Sequence, residues 1–97
     1  MIYRKVQAPI DVMMCFRDGH PEPMVFKWNE RFHQVKRVLF MHAERVGQRR
    51  VYFFSVSDGI QAFRLRFCTE SLQWSLEEVC RIERVTAPGA MPEPVLA

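Results

Sequence analysis

The segment Val51–Leu76 constrains the fold most, because it has the pattern of three strands joined by two short turns. Asp58-Gly59 separates two runs rich in β-branched and aromatic residues. An Asp-Gly pair favours a two-residue hairpin loop in which both central residues have positive φ. Such a loop predicts the cross-strand pairs Ser57–Ile60, Phe54–Phe63 and Tyr52–Leu65.

The polar stretch Cys68–Ser71 predicts a second loop, of four residues, that pairs Phe67 with Leu72. The same register pairs Leu65 with Trp74 and Phe63 with Leu76. Because side chains alternate along a strand, both hairpins place their large apolar residues on one face. This predicted core face contains Tyr52, Phe54, Val56, Phe63, Leu65, Phe67, Leu72, Trp74 and Leu76. The opposite face is expected to be mixed and basic, with Val51, Phe53, Ser55, Arg64, Arg66, Gln73, Ser75 and Glu77.

Two further strands are predicted before the meander. Ile10–Phe16 alternates between apolar residues and others, which is typical of a strand with one buried face. Residues 17–23 contain an Asp-Gly pair and two prolines and are predicted to form a loop. Met24–Trp28 is the second strand, and Met1–Gln7 is expected to be an irregular lead-in.

The segment Phe32–Val46 satisfies the requirements of a helix and of a strand about equally. Apolar residues recur at helical spacing, with Asn29 as an N-cap and Gly47 after the last turn. The aromatic and β-branched content favours a strand that follows a short turn around Asn29. Strict alternation fails at residues 38–40, so a strand here requires a bulge or a bend.

Composition indicates one small domain of 97 residues, of which 48% are hydrophobic and eight are Phe, as suits a small barrel or sandwich. The three cysteines form no CxxC pair, and the first ten residues lack the apolar run of a signal peptide. No apolar run is long enough to span a membrane. We therefore predict a cytoplasmic protein without a membrane partner. Residues 1–86 are expected to form the domain and residues 87–97 a flexible, proline-rich tail.

Reactive side chains do not form a recognisable catalytic or metal-binding pattern. The histidines and cysteines do not stand at the spacing of zinc ligands: His20, His33, His42, Cys15, Cys68 and Cys80. Cys68 falls in a predicted turn, but no local signature of a nucleophile accompanies it. Glu77 and Glu78 are neighbours in a predicted strand and therefore point to opposite faces. We expect no catalytic residue, no metal and no cofactor.

The arginines of the meander suggest a nucleic-acid interface. Basic residues outnumber acidic ones between residues 27 and 66, whereas the reverse holds after residue 66. Arginines beside exposed aromatic rings on a small β-domain bind single strands through charge and stacking. The candidate residues are Arg49, Arg50, Phe53, Arg64 and Arg66. In the alternative, Phe53 is buried under another segment and the arginines only form a solvated basic face, in line with a net charge of only +3.

Aromatic residues earlier in the chain suggest a protein-binding site instead. Trp28, Phe32 and Phe40 are candidates for a patch that holds an extended or proline-rich peptide. In the alternative, Trp28 belongs to the core. An edge strand would also allow the domain to pair across a two-fold axis as a homodimer.

The spaced aromatics, one Asp-Gly turn and a late tryptophan resemble a family of small bacterial domains of uncharacterised function. These residues run from Phe26-Lys27-Trp28 through Phe32-His33-Gln34-Val35 and Asp58-Gly59 to Gln73-Trp74-Ser75-Leu76, within about residues 10–80. Members of that family stand alone or form the C-terminal end of proteins similar to Y-family translesion DNA polymerases. The resemblance implies an SH3-like fold and no known activity.

Together these observations predict a mainly β fold, either a small SH3-like barrel or a strongly bent antiparallel sheet of five to six strands. A C-terminal meander would occupy residues 51–80, and the alternative is an α+β fold with a helix at residues 30–46. The predicted function is a non-enzymatic module that binds single-stranded nucleic acid or a protein of DNA repair or replication. The alternative is a peptide-binding, protein-binding or homodimerising accessory domain.

Overall fold

The computed structural model describes residues 2–81, which form one antiparallel sheet of seven strands. The strands are β1 (Ile2–Arg17), β2 (His20–Trp28), β3 (Arg31–Gln34), β4 (Arg37–Val46), β5 (Arg49–Ser57), β6 (Gln61–Cys68) and β7 (Gln73–Arg81). Their order across the sheet is β3-β2-β1-β7-β6-β5-β4. The prediction of a mainly β fold is confirmed, but the predicted number of five to six strands is wrong, because the described residues form seven. The predicted tail at residues 87–97 lies outside the described residues.

The helix alternative at residues 30–46 is wrong, because that segment forms β3 and β4. Asn29 and Glu30 both have positive φ and form the turn between β2 and β3, where Trp28 lies opposite Arg31. The register between β4 and β5 shifts between Val38 and Phe40, as the break in alternation predicted. Within residues 2–81 no helix is present that would be long and apolar enough to cross a membrane.

The longest strand, β1, joins the two halves of the sheet. Residues Ile2–Ile10 pair with β7, whereas Asp11–Arg17 pair with β2. The register shifts between Lys5 and Ala8, where Gln7 has a φ of 53°. The expectation of an irregular lead-in at residues 1–7 is therefore wrong from Ile2 onward. These residues become ordered because the edge of β7 supplies backbone partners.

The sheet bends until its two halves touch. The ring centroids of Phe26 on β2 and Phe63 on β6 are 5.0 Å apart. Two strands lie between β2 and β6, so a flat sheet would separate them by about 14 Å. Among the described residues β3 and β4 do not pair with each other, so the sheet is strongly bent but not closed into a barrel.

The chain itself bridges the gap between the two edge strands. Val35 and Lys36 connect β3 directly to β4. The Val35 amide donates to the Met24 carbonyl, and the Lys36 amide donates to the Ser57 carbonyl, both at 2.9 Å. These two hydrogen bonds attach neighbouring residues to opposite halves of the sheet and hold the bend.

The hairpin expected at Asp58-Gly59 occurs instead at Asp18-Gly19. Both of these residues have positive φ, and Arg17 lies opposite His20. The predicted loop at residues 17–23 is thus only two residues long, and β2 includes Pro21 and Pro23. Proline is tolerated there because β3 pairs only with residues 25–28 of β2, so residues 20–24 form a sheet edge on that side.

At Asp58-Gly59 the predicted register is wrong by two residues. Ser57 pairs with Ala62, and the Asp58 amide donates to the Gln61 carbonyl at 3.2 Å. The loop therefore consists of Gly59 and Ile60, with positive φ at the glycine alone. The Asp58 side chain selects this turn by accepting hydrogen bonds from the amides of Ile60 (2.9 Å) and Gln61 (2.8 Å).

The second turn is displaced by one residue, which shifts the register of the strands by two. Phe67 pairs with Trp74 rather than with Leu72, so the loop is Thr69–Leu72 and Leu72 is exposed. A two-residue shift leaves the residues between the turn and Leu65 on their predicted faces, and a bulge beside Leu65 then places Phe63 opposite Val79 instead of Leu76. The buried cluster accordingly contains the rest of the predicted core face, together with residues of β1, β2 and β7: Ile10, Phe26, Tyr52, Phe54, Val56, Phe63, Leu65, Phe67, Trp74, Leu76 and Val79.

A polar contact fastens β3 to the turn between β5 and β6. His33 Nδ1 lies 3.2 Å from Asp58 Oδ2, and both side chains are largely buried. The His33 ring stacks on Phe26 and lies 5.0 Å from Phe63. The contact thus connects residues 25 apart in sequence and lies beside the apolar rings that join the two halves.

The carboxylate of Asp58 makes stability depend on pH in acid. Partial burial by itself would raise its pKa, but hydrogen bonds from Gln61, Ile60 and His33 outweigh burial and lower the pKa below 3.8. Because the folded pKa is the lower one, this contribution to stability is complete above about pH 3.8 and is lost as the pH falls through the folded value.

We therefore expect a pH-dependent difference between the wild-type chain and Asp58→Asn, which cannot ionise. Their difference in free energy of unfolding should stay constant from about pH 6 to about pH 4 and shrink below that. Urea titrations at each pH measure it. A difference that does not change down to about pH 2 would contradict the assigned hydrogen bonds.

Candidate functional site

Four of the five candidate nucleic-acid residues lie on the face of β4–β7 that points away from the core, which we call the outer face. Phe53 on β5 lies directly opposite Arg66 on β6 and opposite His42 on β4. The predicted shared face of Phe53, Arg64 and Arg66 is confirmed. It persists despite the register error because the shift is an even number of residues.

Four side chains form a continuous row across this face, which we call the basic–aromatic strip: Phe40, His42, Phe53 and Arg64. The ring centroids of Phe40 and His42 are 5.5 Å apart, and His42 stacks on Phe53 at 5.1 Å. The guanidinium carbon of Arg64 lies 5.4 Å from the Phe53 centroid. Phe40 is 60% exposed and so presents the free ring at the end of the strip.

Phe53 is only half exposed, because neighbours on the same face flank its ring. His42 on one side and Arg64 on the other restrict access to it. Phe40 therefore replaces Phe53 as the ring most open to a stacking partner. The role predicted for the arginines depends on how far nearby acidic side chains neutralise their charges.

The remaining arginines differ in position. Arg66 and Arg49 both line an open groove of about 510 Å³ that also touches Ser75 and Glu77. Arg49 Nε lies 2.8 Å from Glu70 Oε1, and both side chains are solvent-exposed. Arg50 follows Arg49 in the strand and therefore points to the other face. The structure thus places four of the five candidates together and separates Arg50 from them.

Acidic side chains reduce the positive potential of the outer face. Arg64 lies opposite Glu78, and the hydroxyl of Ser75 donates to the Glu77 carboxylate at 2.8 Å. His42 Nε2 lies 3.0 Å from Glu44 Oε2. Electrostatic binding to a polyanion should therefore be moderate in strength and sensitive to salt.

Val51, which is expected on the mixed outer face, and Cys68, which is expected in the second turn, are both buried. Val51 is 0% exposed, and Cys68, which lies opposite it, ends β6 rather than lying in the turn. Hydrogen bonds from the hydroxyl and amide of Ser71 lower the pKa of the Cys68 thiol.

No cluster of three or more potential metal ligands occurs within residues 2–81.

The candidate protein-binding residues do not form one patch. Trp28 is half-buried, packs against the core 6.4 Å from Phe63 and is covered by the Arg4 guanidinium at 5.7 Å. Phe32 is 74% exposed beneath the Lys27 ammonium. It shares its face with Lys27 and hence lies on the opposite side from Trp28. Phe40 lies on β4, at the other edge of the sheet.

Sequence reasoning missed His42 and assigned Phe40 to a different site. Both residues belong to the segment that fitted a helix and a strand equally. Had the strand been chosen, alternation after the bulge would have placed Phe40 and His42 on one face. Their contact with Phe53 depends on the pairing of β4 with β5, which the turn at Gly47-Gln48 determines.

Comparison with known proteins identifies no relative of this chain. No protein-family model, curated protein or solved structure matches the chain.

Proposed function

We propose that this chain is a non-enzymatic module that binds single-stranded nucleic acid on its outer face. The observation that supports the proposal is the basic–aromatic strip, which crosses three strands and ends in an exposed ring. Binding to single strands combines base stacking on aromatic rings with charge along the backbone. The basic–aromatic strip provides both kinds of contact, because its aromatic rings and the charge of Arg64 lie side by side.

In this proposal the roles of the side chains follow from their exposure. Phe40 stacks with a base through its open ring face. His42 packs against the Phe40 ring and itself stacks on Phe53. Arg64 and Arg66, which lie on the neighbouring strand β6, contact phosphates of the nucleic acid. Arg49 contributes when a phosphate displaces Glu70 from its guanidinium. Since bases present similar ring faces, such contacts favour binding that tolerates different sequences.

The proposed biological setting is DNA repair or replication in a bacterial cytoplasm. The resemblance to SH3-like domains that accompany translesion-polymerase-like proteins favours that setting. A polymerase-like partner would deliver the module to single-stranded template. The outer face would then contact nucleic acid while another surface contacts the partner.

Replacing Arg64 and Arg66 together with alanine should weaken binding to a single-stranded oligonucleotide about tenfold or more at low salt. The slope of log affinity against log salt concentration should fall by about 1.4, because two phosphate contacts are removed. Fluorescence anisotropy at several salt concentrations measures both quantities.

Two matched controls accompany this experiment. The pair Arg17→Ala and Arg31→Ala removes two exposed arginines from the other half of the sheet and should leave binding unchanged. Phe40→Ala should weaken binding, whereas Phe32→Ala, which removes another exposed ring, should not. Wild-type protein that shows no binding even at low salt would refute the proposed function.

A further inference from the structure

Among residues 2–81, the ten-residue edge strand β4 has a backbone partner on one side only, namely β5. It is last in the sheet, and no strand within residues 2–81 pairs with its outer side. Its exposed side chains include Val38, Leu39 (50% exposed) and Phe40. Exposed edge strands are usually protected by proline, by a β-bulge, by central charges or by a covering segment, and of these β4 has a bulge at Leu39. In β4 the charged residues lie only toward the two ends, at Arg37, Glu44 and Arg45.

We propose that β4 pairs with β4 of a second copy of this chain, antiparallel, around a two-fold axis at Met41. Residues opposite each other in an antiparallel pair share a face. The pairing with β5 assigns Val38, Met41 and Ala43 to the core-side face. It assigns Arg37, Phe40, His42 and Glu44 to the outer face.

An axis at Met41 satisfies these faces along the whole strand. Phe40 lies opposite His42 of the second copy on the outer face. Leu39 is the extra residue of the bulge, so Val38 then lies opposite Ala43 on the core-side face. The next pair places Arg37 opposite Glu44, and the symmetry repeats this ion pair at the other end.

The alternative axes lose this charge match. An axis at His42 places Arg37 opposite Val46, and an axis at Phe40 places Arg37 opposite His42. An axis between two residues would pair side chains from opposite faces. Beyond the Arg37–Glu44 pair, Arg45 would face Lys36, whose like charge ends the ladder at that point. The strand is thus complementary to itself in one register, which identifies a second copy as the occupant.

This pairing would make one continuous sheet of fourteen strands. The two outer faces would lie on the same side, and the two copies of Phe40 and His42 would meet near the axis. The inference does not depend on the proposed nucleic-acid binding, because it concerns only the edge of β4. Its test is therefore the oligomeric state in the absence of nucleic acid.

The test reverses one charge at a time. Arg37→Glu places two acids opposite each other at both ends, and Glu44→Arg places two arginines opposite each other. Each single change should weaken the wild-type dimer about tenfold or more, as measured by sedimentation equilibrium. The double variant R37E/E44R should restore the dimer, since its charges are exchanged but still opposite.

Mixing the two single variants gives the sharpest result. Each ion pair is then re-formed between different chains, so an equimolar mixture should contain heterodimers although neither variant dimerises well alone. Native mass spectrometry resolves the two masses. The control Arg31→Glu, on the other edge of the sheet, should leave the wild-type dimer intact, and circular dichroism checks that each variant is folded.

A wild-type chain that stays monomeric at the highest soluble concentration would overturn the proposal, whether or not another protein covers β4. A dimer that Arg31→Glu disrupts, or that both β4 variants leave unchanged, would also overturn it. Failure to bind an oligonucleotide would not affect this inference, so the two proposals fail separately.

Discussion

Replacing Phe63 with alanine is expected to lower the free energy of unfolding by about 3–5 kcal/mol. The Phe63 side chain is 2% exposed and lies on β6, where the bent sheet brings its halves together. Its ring contacts Phe26 edge-on and approaches Trp28 and His33 from the other half. The substitution therefore leaves a cavity at the contact that closes the bend, in addition to the lost burial of the ring.

Urea unfolding monitored by circular dichroism measures this loss. A small domain has roughly 5–15 kcal/mol of stability in total, so the variant should be close to unfolding. Phe32→Ala is the matched control, because it removes an exposed ring with one cation–π contact and should lower stability by less than about 1 kcal/mol. Equal effects of the two substitutions would show that the halves are not packed through Phe63.

Replacing Asp58 with alanine is the change with the second-largest expected effect, a loss of about 2 kcal/mol. The carboxylate accepts hydrogen bonds from two turn amides and from His33. Removing it leaves these donors without their partner in a partly buried site. It also removes the acceptor that selects Gly59 and Ile60 as the loop residues.

Comparison among substitutions separates these contributions. Asp58→Asn keeps an oxygen for the turn amides but loses the charge beside His33, so its effect should be about half as large. Asp11→Ala changes an exposed acid on β1 and should alter stability by less than about 0.5 kcal/mol. An Asp58→Ala variant as stable as Asp11→Ala would show that the turn and the His33 contact do not stabilise the fold.

The inner and outer faces of the meander could be read from the sequence although both registers were wrong. Tyr52, Phe54 and Leu65 were assigned to the core because alternation with period two is a local property of any strand. The register depends instead on which residues form the turn. At this turn the Asp58 side chain accepts hydrogen bonds from backbone amides and thereby determines which residues form the loop. The preference of an Asp-Gly pair for a turn does not account for these hydrogen bonds.

The strand count was less predictable than the faces. Ile2–Gln7 has little alternation, and its order comes from hydrogen bonds to β7, about seventy residues later in the chain. The segment that forms β3 and β4 carries apolar residues at spacings compatible with either structure. Only its attachment to β2 on one side and to β5 on the other selects the strand.

The sequence by itself determined the class of fold, the core side of the meander and the outer position of Phe53, Arg64 and Arg66. These conclusions need only short-range information, namely alternation and the presence of turns. Tertiary structure alone decided the bend of the sheet, the His33–Asp58 contact and the ring contacts that connect Phe40 and His42 to Phe53. Each of these joins residues distant in sequence, so each depends on how strands pair and how far the sheet curves.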